Sequence, residues 1–343
     1  MKRNFLIAVA FAATITAEAQ NIAVVSPGDT TSLYQTLDEA ISKAKPKSII
    51  YLPGGGLTIN DSTMIDKQLT IMGVSHRGDT DNSDGATVIT GNLNFVGGSS
   101  RSAVMGVYLS GNVNIATEKD SVTNFTLRYC NVNSVQVKHG GSTGMIVNQC
   151  YLRGSSNFSN CNVRLANNIF ASAQNIQGGI IDHNIITSSS YYWTGNYGGN
   201  CEFTLWGVSN TTLTNNFLLY YRNHNDWCKF ENCHISNNCI GTGSWGENPV
   251  KLDEDKNWND VFKTYYDDAS KRVSISSDYH LISAWGKGAA SDGTDIGIYG
   301  GAKGEASFKD KALAPIPRIV SKEVDEQTDG TGKLKIKVKV VAQ

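Results

Sequence analysis

The sequence lacks an excess of charge of either sign. It has 30 Lys and Arg against 31 Asp and Glu, which gives a formal net charge of −1 over 343 residues, so bulk charge does not favour a nucleic acid as a partner. After its first residues it also lacks any apolar stretch of the ~20 residues that span a membrane. The 34 Gly and the many Asn argue against a helix bundle and favour a turn-rich β protein.

The first residues have the composition of an export signal. Residues 1–4 include Lys2 and Arg3, residues 5–13 are apolar, and residues 17–19 provide the small side chains of a cleavage site. We therefore expect residues 1–19 to be a signal peptide. The mature protein would be exported, to the medium, the cell surface or the periplasm.

A seven-residue pattern occurs six times between residues 126 and 240. Its second position is aliphatic, its fifth is Asn or Cys, and its seventh is aliphatic or Phe. The six segments are 126–132, 146–152, 164–170, 180–186, 212–218 and 234–240. Their steps of 20, 18, 16, 32 and 22 residues fit one solenoid coil each. The step of 32 could hold one coil with an insertion, or two coils.

Two positions of this pattern predict stacked columns of side chains. The second position predicts a buried aliphatic column: Leu127, Val147, Leu165, Ile181, Leu213 and Ile235. The fifth position predicts a ladder in which each amide bonds to the next one, ~4.8 Å along the axis. Its members are Cys130, Cys150, Asn168, Asn184, Asn216 and Asn238. Because parallel Cβ vectors disfavour a disulfide, we expect buried, reduced thiols at the two Cys positions.

The inward aliphatic residues and the Asn ladder resemble the right-handed parallel β-helix proteins of the pectate-lyase-like superfamily. Residues 32–44 resemble the amphipathic helix that caps the N-terminal end of that fold, and residues 279–281 and 292–301 resemble its closing segment. One face of the cap would carry the apolar residues Leu33, Leu37, Ala40, Ile41 and Ala44. The resemblance implies an all-β fold, with a right-handed parallel β-helix over residues 20–302.

The last 41 residues differ in composition from the repeat. Residues 303–343 are expected to be a linker and a C-terminal β-hairpin, because Lys alternates with apolar residues over 333–340. One interpretation is a strand that packs on the body, with its Lys residues protecting an edge. The other is a recognition tag for export or anchoring.

The catalytic motifs of the superfamily are missing from the repeat. The resemblance implies that lyases with this fold use Ca²⁺ or another cation beside a Lys or Arg base. Between residues 121 and 246 the only acidic residues are Asp182, Glu202, Asp226 and Glu231. The paired Arg residues around a proline are absent, as are the clustered Asp and Gly-His-Gly motifs of the related hydrolases. No catalytic residue of the family can be assigned by motif.

The best candidate site surrounds the longest step of the repeat. Exposed aromatic residues in the insertion 187–200 would stack on sugar rings, although they could instead fold back onto the solenoid. The predicted substrate-binding residues are Arg164, Tyr191, Tyr192, Trp193, Tyr197, Asp226 and Trp227. The predicted catalytic residues are Asp182, His183, Arg222 and His224, because a His near an Asp can act as a base and Arg can neutralise a carboxylate. Solvated turn residues are the alternative for the segment 220–227.

The sequence favours no metal site strongly. Residues 79–85 resemble a Ca²⁺ loop, but Gly85 falls one place late and Thr90 stands where the bidentate Glu belongs. Cys233 and Cys239 could bind zinc with Cys228, but the repeat puts these two on opposite faces. No cofactor is assigned, and Ca²⁺ is the one candidate.

Three functions are consistent with these patterns. A polymer suits the long lateral face of a solenoid, so we expect an exported monomer that binds an extended polysaccharide. A polysaccharide lyase or glycoside hydrolase is the first alternative, and a structural or adhesion protein of the cell surface is the second. Neither a nucleic acid partner nor a membrane span is expected.

Overall fold

A computed structural model of the chain consists mainly of short β-strands. It describes residues 21–28, 30–78, 85–187, 189–191, 201–203, 205–219, 230–240, 246–253, 256–266, 276–301, 308, 310, 318–325, 327–328 and 332–341. Within these ranges there is one α-helix, Leu37–Lys43, and one 3₁₀ helix, Trp258–Asp260. Neither is long and apolar enough to cross a membrane.

Sheet 1 forms one face of the molecule and takes one short strand from each coil. In spatial order its strands are Thr30–Tyr34, Ile22–Ser26, Ser48–Tyr51, Leu69–Met72, Ala103–Met105, Thr126–Arg128, Met145–Asn148, Val163–Ala166, Ile180–Asp182, Thr212–Thr214 and His234–Ser236. The first two are antiparallel to their neighbours. All later neighbours pair in parallel.

Sheets 2 and 3 form the other two faces. Sheet 2 contains Gly55–Thr58, Thr87–Thr90, Tyr108–Leu109, Asn131–Val132, Ile185–Ile186, Phe217–Leu218, Cys239–Ile240 and Val250–Lys251. Sheet 3 contains Met64–Ile65, Leu93–Phe95, Val113–Ile115, Val135–Val137, Leu205–Ser209 and Phe230–Glu231. Two long strands, Tyr151–Cys161 and Ile169–Gln177, begin in sheet 2 and end in sheet 3. The arrangement is consistent with a parallel β-helix solenoid.

The predicted aliphatic column is confirmed. Leu127 pairs with Val147, and the register continues coil by coil to Leu213 and Ile235. The first five members are buried, and Ile235 at the end of the column is partly buried. Three earlier residues, Ile50, Ile71 and Val104, extend the same column toward the N-terminus.

The 32-residue step is one coil with an insertion. Ile180 pairs directly with Thr212 in sheet 1, and Ile185 pairs with Phe217 in sheet 2. Both sheets therefore pass from one strand to the next without an intervening coil, and the extra residues lie between Ile186 and the following sheet 3 strand.

The Asn ladder occupies the bend between sheets 1 and 2. The Oδ1 atoms of Asn184, Asn216 and Asn238 each accept a 2.9 Å bond from the backbone N–H of the preceding ladder residue. The residue before each ladder Asn has a positive φ near +55°, which Asn and Gly tolerate best. Asn167, Asn215 and Asn237 meet this preference, whereas His183 fills the same position in its coil.

The two cysteines of the ladder are buried free thiols. Cys150 donates its backbone N–H to Asn168 Oδ1 at 2.9 Å, so it occupies the ladder position. The Sγ of Cys130 donates to Arg128 O at 3.0 Å, and that of Cys150 to Asn148 O at 3.2 Å. Burial, and then the neighbouring Cys130, raise the pKa of the Cys150 thiol. The reduced state predicted for both is the state in the structure.

The N-terminal helix is shorter than the sequence pattern predicts. It begins after Thr36, whose side chain accepts the backbone N–H of Glu39, and it buries Leu37, Ala40 and Ile41. Leu33 was expected on the same helical face, but this expectation is wrong, because Leu33 lies in the edge strand Thr30–Tyr34 and is 61% exposed. The extended backbone arises because that strand pairs with Ile22–Ser26.

A second hydrophobic core covers the outside of the later strands of sheet 2. Outward side chains of successive sheet 2 strands form its inner wall: Tyr151, Ile169, Ile185, Phe217 and Cys239. Trp258, Phe262, Tyr279 and Ile298 pack on that wall, so residues 256–266 and 276–301 close over this face. The strands Arg318–Val324 and Ile336–Val341 form an antiparallel pair further along the chain.

Candidate functional site

The outer face of sheet 3 carries a column of amide side chains. The register runs from Asn94 to Asn114, Gln136, Asn157 and Gln174. Each of the five is half-buried. Because side chains alternate along a strand, each stands between two inward-facing buried residues, except that the residue after Gln174 is half-buried. We call these five residues the amide column. Its members lie one rung, ~4.8 Å, apart.

Hydrogen bonds fix the orientation of several of these amides. Asn94 Nδ2 donates to Asp61 O at 2.8 Å, and Asn114 Nδ2 donates to Asn94 Oδ1 at 2.8 Å. Gln136 Nε2 donates to Ser155 O at 2.8 Å. The amide planes are therefore held by their neighbours before any ligand arrives, which reduces the entropy that binding would cost.

The column ends in exposed apolar side chains at both ends. Met64 pairs with Asn94 and is 51% exposed, and Trp206 pairs with Gln174 and is 45% exposed. The following Gly207 has a φ of +63°, and a Cβ there would lie 2.8 Å from Asn175 Oδ1, so the backbone approaches the neighbouring coil closely beside the indole. An indole face of this kind can stack on a sugar ring.

A shallow cleft of about 330 Å³ lies beside the first two amides of the column. Its lining residues are Met64, Asn94, Phe95, Val96, Asn114, Ala116, Thr117, Glu118 and Lys138. Glu118 and Lys138 are both exposed. The cleft therefore adds one acidic and one basic group beside the neutral amides of the column.

Arg164 and Asp182 lie on the outer face of sheet 1, on adjacent coils. Arg164 is exposed and pairs with Ile146 and Ile180 on the adjacent coils. Asp182 Oδ1 accepts Thr214 Oγ1–H at 2.9 Å. Burial raises the pKa of Asp182, but the neighbouring His183 and the hydrogen bonds it accepts outweigh burial and lower it.

His183 faces the closing segment rather than solvent. Its side chain is 2% exposed, and its Nδ1 lies 2.9 Å from Asp182 Oδ2, off the direction of a good hydrogen bond. Its Nε2 lies 3.3 Å from Thr294 Oγ1 and 3.8 Å from Asp292 Oδ1. A Cβ on Gly300 would come within 2.4 Å of the imidazole. Asp182 and His183 thus join the closing segment to the bend between sheets 1 and 2. The assignment of His183 as a base stays a prediction.

Most of the other predicted site residues lie outside the described residues: Tyr192, Trp193, Tyr197, Arg222, His224, Asp226 and Trp227. Tyr191 is described only in its backbone, in the strand Ser189–Tyr191, which pairs with Cys201–Phe203. These predicted residues belong to two segments of the chain. The first follows the sheet 2 strand Ile185–Ile186, the second follows the sheet 2 strand Phe217–Leu218, and each ends before a sheet 3 strand. The two segments therefore leave the solenoid at the same corner, on consecutive coils.

A second cluster, around His280, was missed by the sequence analysis. His280 is 50% exposed, its Nδ1 lies 2.6 Å from Asp278 Oδ1, and its ring stacks on Tyr299 at 3.9 Å. Lys263 Nζ lies 3.0 Å from Asp278 Oδ2. Burial raises the pKa of Asp278, but hydrogen bonds from His280 and Lys263 outweigh it and lower the pKa to about 2. An oriented, exposed imidazole of this kind can exchange a proton with a ligand.

Metal ligands do not come together in the described part of the chain, where no three His, Cys, Asp or Glu side chains are placed to hold an ion. The Ca²⁺ loop suggested at 79–85 lies almost entirely outside the described residues, as does Cys228 of the zinc alternative.

Comparisons with models of protein families, with curated proteins and with solved structures found no match for this chain.

Proposed function

We propose that this protein binds an extended polysaccharide along the outer face of sheet 3. The observation that carries the proposal is the amide column, an unbroken row of side chains one rung apart that ends at the exposed Trp206. A row of regularly spaced, neutral polar groups suits a linear polymer better than a small compact ligand.

The chemistry of the column matches that of sugar hydroxyl groups. Each amide both donates and accepts hydrogen bonds, as each hydroxyl does, so successive sugar units can meet successive rungs. Gln174 makes no side-chain hydrogen bond to any other described residue, so its full capacity is open to a ligand. Trp206 beside it supplies the aromatic face on which a pyranose ring can stack.

Sheet 3 fits this function better than the other two sheets. The outside of sheet 2 is covered by the second hydrophobic core from Tyr151 to Cys239. The outer column of sheet 1 changes chemistry at each coil, from Thr126 through Ile146 and Arg164 to Ile180. The aromatic insertions also leave the solenoid at the corner between sheets 2 and 3, where their predicted stacking role would extend the same surface.

We further infer that the chain is a right-handed β-helix of the pectate-lyase-like superfamily, capped by Leu37–Lys43 and exported as a monomer. The parallel strands and the Asn ladder support the family, and the composition of residues 1–19 supports export. Cell fractionation tests the location: the mature protein should begin near Gln20 and be found outside the cytoplasm.

A second candidate function is polysaccharide cleavage by a lyase or glycoside hydrolase. The specific observation in its favour is the exposed pair of His280 and Asp278, with the positive charge of Lys263 3.0 Å from Asp278. This cluster lies with the segment that covers sheet 2, so a polymer would have to cross the corner from sheet 3 to reach it.

A glycan array combined with an assay for unsaturated products and new reducing ends tests both candidates. Binding without product supports the binding function, and product formation that is lost in His280→Ala supports the enzyme. Binding to no glycan on a broad array would overturn the proposal.

A further inference from the structure

A column of left-handed backbone positions follows the corner between sheets 3 and 1. On seven of the nine coils from the strand Ser48–Tyr51 to the strand His234–Ser236, the residue two places before the outward strand position has a positive φ; the exceptions are Gln68 and Asn162. On the later coils these residues are Asn or Gly, namely Asn124, Gly144, Gly178, Asn210 and Asn232. On two of the first three coils they are Lys47, with a φ of +69°, and Arg101, with a φ of +65°.

This replacement has an energetic cost. Asn and Gly are the residues that adopt positive φ most readily, whereas long side chains do so only against a steric penalty. Non-Gly residues held in such conformations concentrate at functional sites. The chain therefore has Lys47 and Arg101 at positions where its later coils have Asn or Gly, which adopt a positive φ with less strain.

Both basic residues line one cleft of about 430 Å³. Its lining residues are Pro46, Lys47, Asp66, Lys67, Gln68, Gly98, Ser100, Arg101 and Thr123. Gly98 permits the close approach that shapes the floor, since a Cβ there would lie 2.3 Å from Asp66 O. We call this cavity the basic cleft.

Lys67 adds a third cation, which is held in place by the helix. Its Nζ lies 3.2 Å from Ser42 O and 3.4 Å from both Ile41 O and Ala44 O, at the C-terminal end of Leu37–Lys43. Asp66 Oδ1 lies 3.7 Å from the same Nζ and is the only acidic group lining the cleft. Three cations and one carboxylate leave an excess of two positive charges.

We propose that the basic cleft binds an oxyanion, a sulfate or carboxylate group, with Lys47 and Arg101 as its principal donors. Arg101 offers the planar fork that pairs with two oxygens at once, and Lys47 offers a point charge from the next-but-one coil. The site is separate from the amide column and does not depend on it. The oxyanion has two sources, a free inorganic ion or an acidic group on a glycan.

The test uses thermal unfolding of the full chain with millimolar sodium sulfate, against sodium chloride at equal ionic strength. Lys47→Asn and Arg101→Asn remove the charge and introduce the residue that suits the conformation, so each should raise Tm in chloride by about 1–2 °C. Lys287→Asn, an exposed Lys outside the cleft, is the charge-matched control. The general stabilising effect of sulfate is the same for all variants.

We expect sulfate to raise the Tm of the wild type and of Lys287→Asn. The double variant Lys47→Asn/Arg101→Asn should lose most of this rise, although in chloride it should be more stable than the wild type. A sulfate response that is unchanged in the double variant would overturn the site. Lower stability of both Asn variants in chloride would overturn the argument from strain and the proposal with it. If a sulfated oligosaccharide raises Tm at a lower concentration than sulfate does, and its unsulfated form does not raise Tm, the source of the oxyanion is a glycan. If the sulfated oligosaccharide and sulfate raise Tm at equal concentrations, the source is a free ion.

Discussion

Asn184 and Asn216 are 32 positions apart in the chain, yet the Nδ2 of the first donates to the Oδ1 of the second at 2.9 Å. The insertion between them therefore leaves the ladder intact. The extra residues leave the solenoid between sheets 2 and 3 and take no part in the stacked core. An insertion at that corner can therefore change without a change in the fold, and a binding surface can develop there.

The ladder predicts a large loss of stability for Asn216→Leu. This change removes the acceptor of the Asn184 backbone N–H and the donors to Ile181 O and Asn238 Oδ1, all of them buried. We expect the free energy of unfolding to fall by about 3 kcal/mol or more, because each unpaired buried group costs about 1–3 kcal/mol. Chemical denaturation measures the loss.

Asn114→Leu is the matched control, since the same chemical change is made at a half-buried outward position. It should cost less than about 1 kcal/mol. Equal losses for the two variants would show that the ladder has no special role in stability.

Thiol reactivity should follow burial. Burial raises the pKa of Cys150, and it raises the pKa of Cys161 and of Cys239 to about 12, so few thiolates form at pH 8. We expect iodoacetamide to spare these three and Cys130 in the folded protein and to modify all four after unfolding. Partly exposed Cys233 should react first among the five described thiols. Detection of a disulfide between Cys130 and Cys150 by mass spectrometry is incompatible with this account.

Acid should loosen the contact between the closing segment and the bend. Asp182 and Asp292 both have lowered pKa values, since hydrogen bonds and His183 outweigh burial. A carboxyl whose pKa is lower in the folded state stabilises the fold above its unfolded pKa of about 4, and this stability is lost as pH falls through the folded pKa. Stability should therefore drop as the pH falls below about 4.

Asp182→Asn should be less stable than the wild type at pH 6 by about 2 kcal/mol, the scale of a hydrogen bond to a charged group, and its stability should vary less with pH. Asp253→Asn, at an exposed position, should leave the pH curve unchanged. Parallel curves for the wild type and Asp182→Asn would disprove the assignment.

Gly300 is required by the fit of the closing segment. A Cβ at this position would lie 1.8 Å from Asp295 O and 2.4 Å from His183 Cδ2, so Gly300→Ala should destabilise the protein by about 1–3 kcal/mol, as overpacking does. Gly56→Ala, where a Cβ meets no atom within 4 Å, is the control and should be nearly neutral. Thermal unfolding compares the two, and similar Tm values would contradict the packing described.

The sequence was sufficient for the ladder and the main column because their residues recur at fixed positions and face inward. The coil that begins with the strand Ala103–Met105 was not recognised as a repeat, because Val107 occupies the ladder position where later coils have Asn or Cys, and Gly106 supplies the positive φ there. The predicted helix was too long because Leu33 fits the helical period, whereas pairing with the strand Ile22–Ser26 decides the conformation of Leu33.

The amide column was missed although a signal exists in the sequence. An amide stands between two apolar residues in each of the strands Leu93–Phe95, Val113–Ile115 and Val135–Val137. Triplets are too short to reveal their alignment, which depends on coil lengths that vary. Trp206 could be added only from its pairing with Gln174. The predicted residues of the two insertions remain predictions, because sequence shows where an insertion begins but not how its side chains are arranged.

The most direct test of the binding function is the affinity of Trp206→Ala for the glycan that binds best on an array, measured by calorimetry. Tyr266→Ala is the control, an aromatic residue that is 55% exposed but lies outside sheet 3. We predict that Trp206→Ala weakens binding by about 1 kcal/mol or more, the scale of one aromatic contact, without a change in Tm, and that Tyr266→Ala binds normally. Unchanged affinity in Trp206→Ala would contradict the placement of the polysaccharide on sheet 3.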